Sequence, residues 1–188
     1  MKKSILFLFV LTLMAFTTYR SVITPIQEIK PQPIQLIPIV IKTPEIDIKI
    51  SSHSEFLNAI GHRESSNNYT VVNEFGYMGR YQFGRTTLRG LGIEVSKTDF
   101  INDPALQEKA MLLLLTHNKK KLKRYIKKYE GTIVHGVYIT ESGILAAAHL
   151  AGQGNVRKFL RNGFEFKDGN GTKMTAYMKQ FGGYKLDI

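Results

Sequence analysis

The chain has 188 residues, a formal net charge of +11 and no cysteine. The missing cysteines exclude disulfide staples, a thiolate metal site, a cysteine nucleophile and a lipid-modified N-terminal cysteine. The length suits one domain plus an appendage, with enough chain after residue 52 to bury a core. The charge, which stays at +8 once residues 1–20 with Lys2, Lys3 and Arg20 are set aside, favours anionic partners without choosing among polymer, lipid surface and nucleic acid.

Residues 1–21 combine Lys2 and Lys3 with an apolar run from Ile5 to Phe16, the charged start and short apolar stretch of a secretory signal. That run is shorter than the roughly 20 residues a spanning helix needs. The AFTTYRS that follows has no small-x-small cleavage site. Residues 1–21 therefore read as a signal peptide or a retained membrane anchor, and the protein as exported. Residues 22–52 hold Pro25, Pro31, Pro33, Pro38 and Pro44, five of the six prolines. Repeated proline forbids helix and interior strand, so this stretch is an extended linker, although its IQLIPIVI is unusually apolar for one. The domain proper, 53–188, starts near His53.

Phe56, Leu57 and Ile60 recur at helical spacing, and Glu64 falls on the same stripe, four residues after Ile60 and seven after Leu57. The polar cluster Ser65–Asn68 ends the helix because such side chains compete for backbone hydrogen bonds. A carboxylate thus stands on the buried edge of the last turn. Desolvation there is expected to raise its pKa and suit it to general acid work; the plain alternative is a Glu paired with an Arg or reaching solvent. FGYMGRYQFG follows, a glycine-punctuated run with Tyr81 and Gln82 interleaved, suited to bringing backbone and amide groups close to a ligand. A small β element is expected near Val71 to Phe83.

Thr86–Leu91 is a short helical candidate. Asp103-Pro104 supplies an N-cap and a first-turn proline for a helix running to a stop at Gly131, either unbroken or jointed near His117-Asn118. Its Met111–Leu115 run is apolar all round, as in a central core helix. Lys119–Lys128 then holds seven cations in ten residues, with Leu122, Tyr125, Ile126 and Tyr129 at helical spacing. That pattern reads as a solvated basic face or as a patch for anionic polymer or phospholipid; without a recognisable motif it gives no reason to expect nucleic acid. Thr140 and Glu141 open the alanine-rich helix ESGILAAAHLAG, and Gly152 and Gly154 turn it into NVRKFLRNG, which ends at Asn162-Gly163. Asp168–Thr172 is a loop and N-cap before a last helix with Met174, Tyr177, Met178 and Phe181 on one face. DGNGT resembles the start of a calcium loop but fails, since Lys173 stands at the glycine position and Lys179 at the bidentate glutamate position. No metal site and no cofactor are expected.

Three ordered segments resemble a known family. HRESS around Glu64, then Gly79-Arg80-Tyr81-Gln82, then Ala148-His149-Leu150-Ala151-Gly152-Gln153-Gly154-Asn155-Val156 are similar to the Glu-Ser, Gly-x-x-Gln and Ala-Gly-x-Gly-x-Val signatures of lytic transglycosylases of the SLT type, in the lysozyme-like superfamily. The resemblance spans roughly Phe56 to Tyr184. It implies a mainly α, lysozyme-like (α+β) domain of two lobes around a cleft, acting as a monomer on the glycan strands of bacterial peptidoglycan in the cell envelope. By that resemblance Glu64 is the single catalytic acid and base, and Ser65, Tyr81, Gln82 and His149 are substrate-binding positions. Each has a structural alternative: Ser65 as a helix-end cap, Gln82 as a buried amide, Tyr81 as core packing, His149 as a core histidine. The departure is His149-Leu150, where the family commonly has Tyr-Asn, so the Asn hydrogen bonds to substrate are missing. Two other readings stand beside the transglycosylase. A hydrolytic lysozyme would need a second carboxylate such as Glu74, and a non-catalytic wall-binding module would fit the His149-Leu150 departure.

Overall fold

The computed structural model describes residues 53–188; the signal or anchor of 1–21 and the linker of 22–52 lie outside the described residues. Helix α1 (His53–Ser65) buries Phe56 and Ile60 on one face. It stops at the polar cluster, where Ser66 and Asn67 take left-handed backbone angles (φ 55° and 62°). Two short helices follow, α2 (Arg85–Gly90) and α3 (Lys97–Ile101), the latter capped by Ser96, whose side chain accepts from Asp99 N. Helix α4 (Pro104–Tyr129) is one unbroken run of 26 residues, with the Asp103 side chain accepting from Leu106 N and Pro104 in the first turn, as the sequence predicts.

The mainly α architecture with a small antiparallel element is as expected, but the element is elsewhere. Strands β1 (Ile133–Val134) and β2 (Val137–Tyr138) pair Ile133 with Tyr138 and Val134 with Val137. Their turn, His135-Gly136, has positive φ at both residues (47° and 76°), the signature of a hairpin turn that matches strand twist. Between Val71 and Phe83 there are only isolated bridges, Val72–Met78 and Met78–Phe83, because Gly76 and Gly79 turn the backbone before a ladder can extend. The Met111–Leu115 run is also not buried all round. Met111, Leu114 and Leu115 face the core while Leu112 and Leu113 are exposed, so α4 lies at the edge of the core with one face to solvent.

Helix α5 (Glu141–Asn162) is the central element. Thr140 caps it by accepting from Gly143 N, and every residue from Ser142 to Ala148 is buried. Gly152 (φ 75°, ψ 151°) kinks it where the sequence predicts a turn, and Gly163 ends it in the left-handed conformation. Helix α6 (Met174–Gln180) follows a loop; its N-cap is Lys173, one residue beyond the expected Thr172, and no side chain bonds there. Helix α5 packs against α4 on one side and α6 on the other. Among the described residues no helix is long and apolar enough to cross a membrane.

The α5–α6 approach depends on one glycine. A Cβ at Gly143 would stand 2.5 Å from the Met178 backbone oxygen, a group that cannot swing aside as a side chain would. Gly143→Ala should therefore lower the unfolding free energy by roughly 1–3 kcal/mol. Gly154→Ala, in the same helix with nothing within 4 Å of its added Cβ, should be neutral or slightly stabilising. Equal denaturation midpoints for the two variants would show that the spacing of α5 and α6 is not enforced at Gly143.

Candidate active site

A cleft of about 810 Å³ is lined by residues from the end of α1, the 73–84 segment, α2, the middle of α4, the middle of α5 and the 168–177 segment. Glu64 is on its wall, with its side chain 15% exposed. The residue reaches this position because α1 ends one residue later. Ser65 then spends its hydroxyl on the backbone, donating to Arg80 O (2.8 Å) and accepting from Asn68 N (3.0 Å), which pins the helix end to the Gly79–Gln82 turn.

Two side chains from distant segments hold the Glu64 carboxylate, both at Oε1. Tyr177 on α6 donates its hydroxyl at 2.7 Å, and His149 Nε2 on α5 lies 3.5 Å away. The Arg63 guanidinium also lines the cleft and stands 5.9 Å from the Tyr177 ring centroid. Oε2 has no hydrogen-bond partner among the described residues, so it is the oxygen left for a ligand.

These neighbours correct the expectation of a raised pKa. Burial does push the Glu64 carboxyl upward and is the largest single influence. It is outweighed by the hydrogen bond and charge of His149, then the Tyr177 hydrogen bond, then the Arg63 charge, and the net direction is downward. Glu64 is therefore ionised in the free protein. Burial, then the Glu64 charge, raise the Tyr177 phenol, which stays protonated and keeps donating.

Of the other sequence-predicted residues, Gln82 and His149 line the cleft and Ser65, Tyr81 and Glu74 do not. Gln82 adopts a left-handed backbone (φ 51°) and donates Nε2 to Gly79 O (3.0 Å). That conformation costs about 1 kcal/mol or more for a side-chain-bearing residue, and the Met78–Phe83 bridge holds it in place. His149 packs edge-on to Phe83 (6.0 Å), and its buried Nδ1 has no hydrogen-bond partner among the described residues. Tyr81 cannot stack on a sugar. It is fully buried, its hydroxyl donating to Glu108 Oε2 at 2.7 Å. Ser65 is used as the helix-end cap described above. Glu74 is exposed in the turn closed by Asn73, whose side chain accepts from Phe75 N and Tyr77 N, and it is not among the residues that line the cleft.

Sequence reasoning placed Tyr177 on the apolar face of the last helix and missed its contact with Glu64. It also missed Asp168, which lines the cleft and accepts from Asn170 N (3.0 Å) and Thr172 N (2.7 Å) through Oδ1. Phe75 and Tyr77, both exposed, present aromatic surface to the same cleft. Leu150 lines it too, so an apolar side chain stands where the motif has its Asn. Among the described residues no group of three His, Asp or Glu side chains converges to hold a metal ion.

Among solved structures, the lytic transglycosylase Slt of Pseudomonas aeruginosa, an inactive mutant, is similar to this chain, with a TM-score of 0.47 and 18% sequence identity. The match covers 69% of this chain and 20% of that one. No protein-family model matches the chain. No curated protein matches it either.

The geometry fixes the sign of a titration experiment. A carboxyl with a depressed pKa contributes stability that is fully present above the ordinary carboxylate value of about 4.3 and is lost as pH falls through the folded value. Removing a partner that favours the ionised form must move that titration upward. Carbon NMR of the Glu64 carboxyl should show a higher midpoint in His149→Phe, and a smaller rise in Tyr177→Phe, following the order of the two influences. An unchanged midpoint in His149→Phe would mean that the histidine does not hold the carboxylate's charge.

Proposed function

We propose that the chain is a peptidoglycan-cleaving lytic transglycosylase with a lysozyme-like fold, acting in the bacterial cell envelope after export directed by residues 1–21. The observation that carries the reading is a lone glutamate on a cleft wall, anchored through Oε1 by Tyr177 and His149 and open at Oε2. The three ordered motifs agree with it. Gln82 and His149 line the cleft with Glu64.

In this mechanism Glu64 Oε2 carries the proton, because Oε1 is occupied by donors. It gives that proton to the glycosidic oxygen between N-acetylmuramic acid and N-acetylglucosamine, and the bond to muramyl C1 breaks. The acetamido group of the muramyl residue stabilises the cationic carbon. Glu64, now a carboxylate, takes the proton of the muramyl 6-hydroxyl as that oxygen attacks C1. The 1,6-anhydro ring closes without water, and Glu64 is left protonated as it began. The lowered pKa has a consequence for the first step: the free enzyme must acquire a proton before it can donate one, so the rate falls as pH rises through the Glu64 value. Tyr177 does not compete as the acid, since its phenol is pushed further from neutrality.

A second reading, hydrolysis, draws on one observation. Glu74 is not at the cleft, but Asp168 is, and a carboxylate there is the group available to activate water.

Mass spectrometry of purified peptidoglycan digested by the full chain tests both readings. Products one water lighter than reducing muropeptides are expected, and Glu64→Gln should lower their rate by about 10²–10⁴. Reducing ends that disappear with Asp168→Asn would replace the transglycosylase by a hydrolase. Wall binding without any product from the wild type would replace both by a binding module. His149→Phe should carry the alkaline limb of kcat/KM to higher pH, in step with the Glu64 titration.

A further inference from the structure

The described residues carry 20 Lys and Arg against 12 Asp and Glu, and the excess is confined to one place. Residues 119–129 and 152–162, the second halves of α4 and α5, hold ten of the cations and none of the acids. Elsewhere acids outnumber cations, so the positive charge of the domain is a local feature and not a diffuse one. Cations in the last turns of helices complement the helix dipole, but that effect ends within a turn and does not account for two whole half-helices.

The two halves meet at a groove of about 230 Å³, separate from the catalytic cleft, lined by Arg124, Tyr125, Lys128 and Tyr129 of α4 and Arg161 of α5. Its floor is aromatic: Tyr125 and Tyr129 stack at 6.4 Å with 23° between their planes, and Lys128 Nζ stands 4.8 Å from the Tyr129 centroid. Lys119 pairs with Glu141 at 2.9 Å, and no ion pair within the described residues neutralises Arg124, Lys128 or Arg161.

We propose that this groove binds a linear polyol-phosphate polymer, in which phosphate diesters join polyol units. Two arginines offer the forked donors that match phosphate oxygens, and Lys128 adds a point charge. The half-buried tyrosine pair gives the polyol or sugar between phosphates an apolar surface. A membrane-inserting surface would require large exposed apolar residues, and the groove is lined by three cations and two half-buried tyrosines. The assignment is independent of the glycan chemistry at Glu64.

The test is equilibrium binding of poly(glycerol phosphate) to the full chain across a range of salt concentrations. The triple variant Arg124→Gln, Lys128→Gln, Arg161→Gln should weaken binding about tenfold or more and reduce the slope of log K against log salt by roughly two. A control with the same loss of charge elsewhere, Lys97→Gln, Lys109→Gln, Lys185→Gln, should change it little. Equal weakening by both triples would reduce the effect to net charge and overturn the groove. Absence of polymer binding by the wild type overturns it as well. Phosphatidylglycerol vesicles that are retained by the wild type and released by the groove triple, with no polymer difference, would reassign the surface to a membrane.

Discussion

The placement of one carboxylate organises the domain. Glu64 belongs to a helix that also supplies Phe56 and Ile60 to the core, so its charge cannot simply rotate out to bulk water without disturbing that packing. A half-desolvated carboxylate is tolerable only if donors and cations face it. Here they come from residues 85 and 113 positions away, His149 and Tyr177. Each depends on a backbone arrangement of its own. His149 follows the buried alanine run of α5, and Tyr177 arrives on α6, which can approach α5 because Gly143 has no side chain. The contact between α5 and α6 is therefore part of the site's chemistry as well as of the core.

The turn that carries Gln82 is held by a polar network as well as by the core packing of Tyr81 and Phe83. Gln107, fully buried, accepts from Arg80 N (2.8 Å) and donates to Tyr69 O and Phe100 O (both 2.9 Å). Glu108 beside it takes Arg80 Nη1 at 2.8 Å and the hydroxyls of Tyr69 and Tyr81 at 2.7 Å. Every partner in this set is satisfied, which is the condition for a partly buried network to hold a structure together. Its effect is to fix the turn that presents Gln82 to the cleft and receives the Ser65 hydroxyl. Tyr81 belongs to this frame, and burial together with Glu108 raises its phenol accordingly.

What the sequence made legible follows from how local each signal is. The N-caps Asp103 and Thr140, the stop at Asn162-Gly163 and the kink at Gly152 rest on short-range backbone rules, and the structure agrees on all four. Glu64, Gln82 and His149 are found in the cleft because their motifs carry them there. The direction of the Glu64 shift was not legible. Helical spacing reveals that a carboxylate is buried, but the sign depends on which side chains face it, and those are contributed by tertiary approach. Tyr177 illustrates the same limit: on a helical wheel it is another aromatic on an apolar face, and only its distance to Glu64 distinguishes it. Tyr81 was assigned to the site from its place in the Gly79–Gln82 motif and Glu74 from nearness in sequence to Glu64, and neither tells which way a side chain faces in a glycine-rich turn.

Helix α4 contributes residues to both surfaces. Its first turns brace the Arg80 network through Gln107 and Glu108. His117 and Asn118 reach the cleft, and the groove begins only at Arg124. At 1.5 Å of rise per residue, Arg124 lies about 9 Å along the axis beyond Asn118, comparable to the screening length of roughly 8 Å at physiological salt. The leading influences that depress Glu64 are His149, Tyr177 and Arg63, none of them on α4. A helix of this length can thus carry strong positive charge in its second half while its middle lines the cleft of Glu64. The acid's proton affinity is set chiefly by the groups beside it, while the cations of the groove begin about a screening length further along α4.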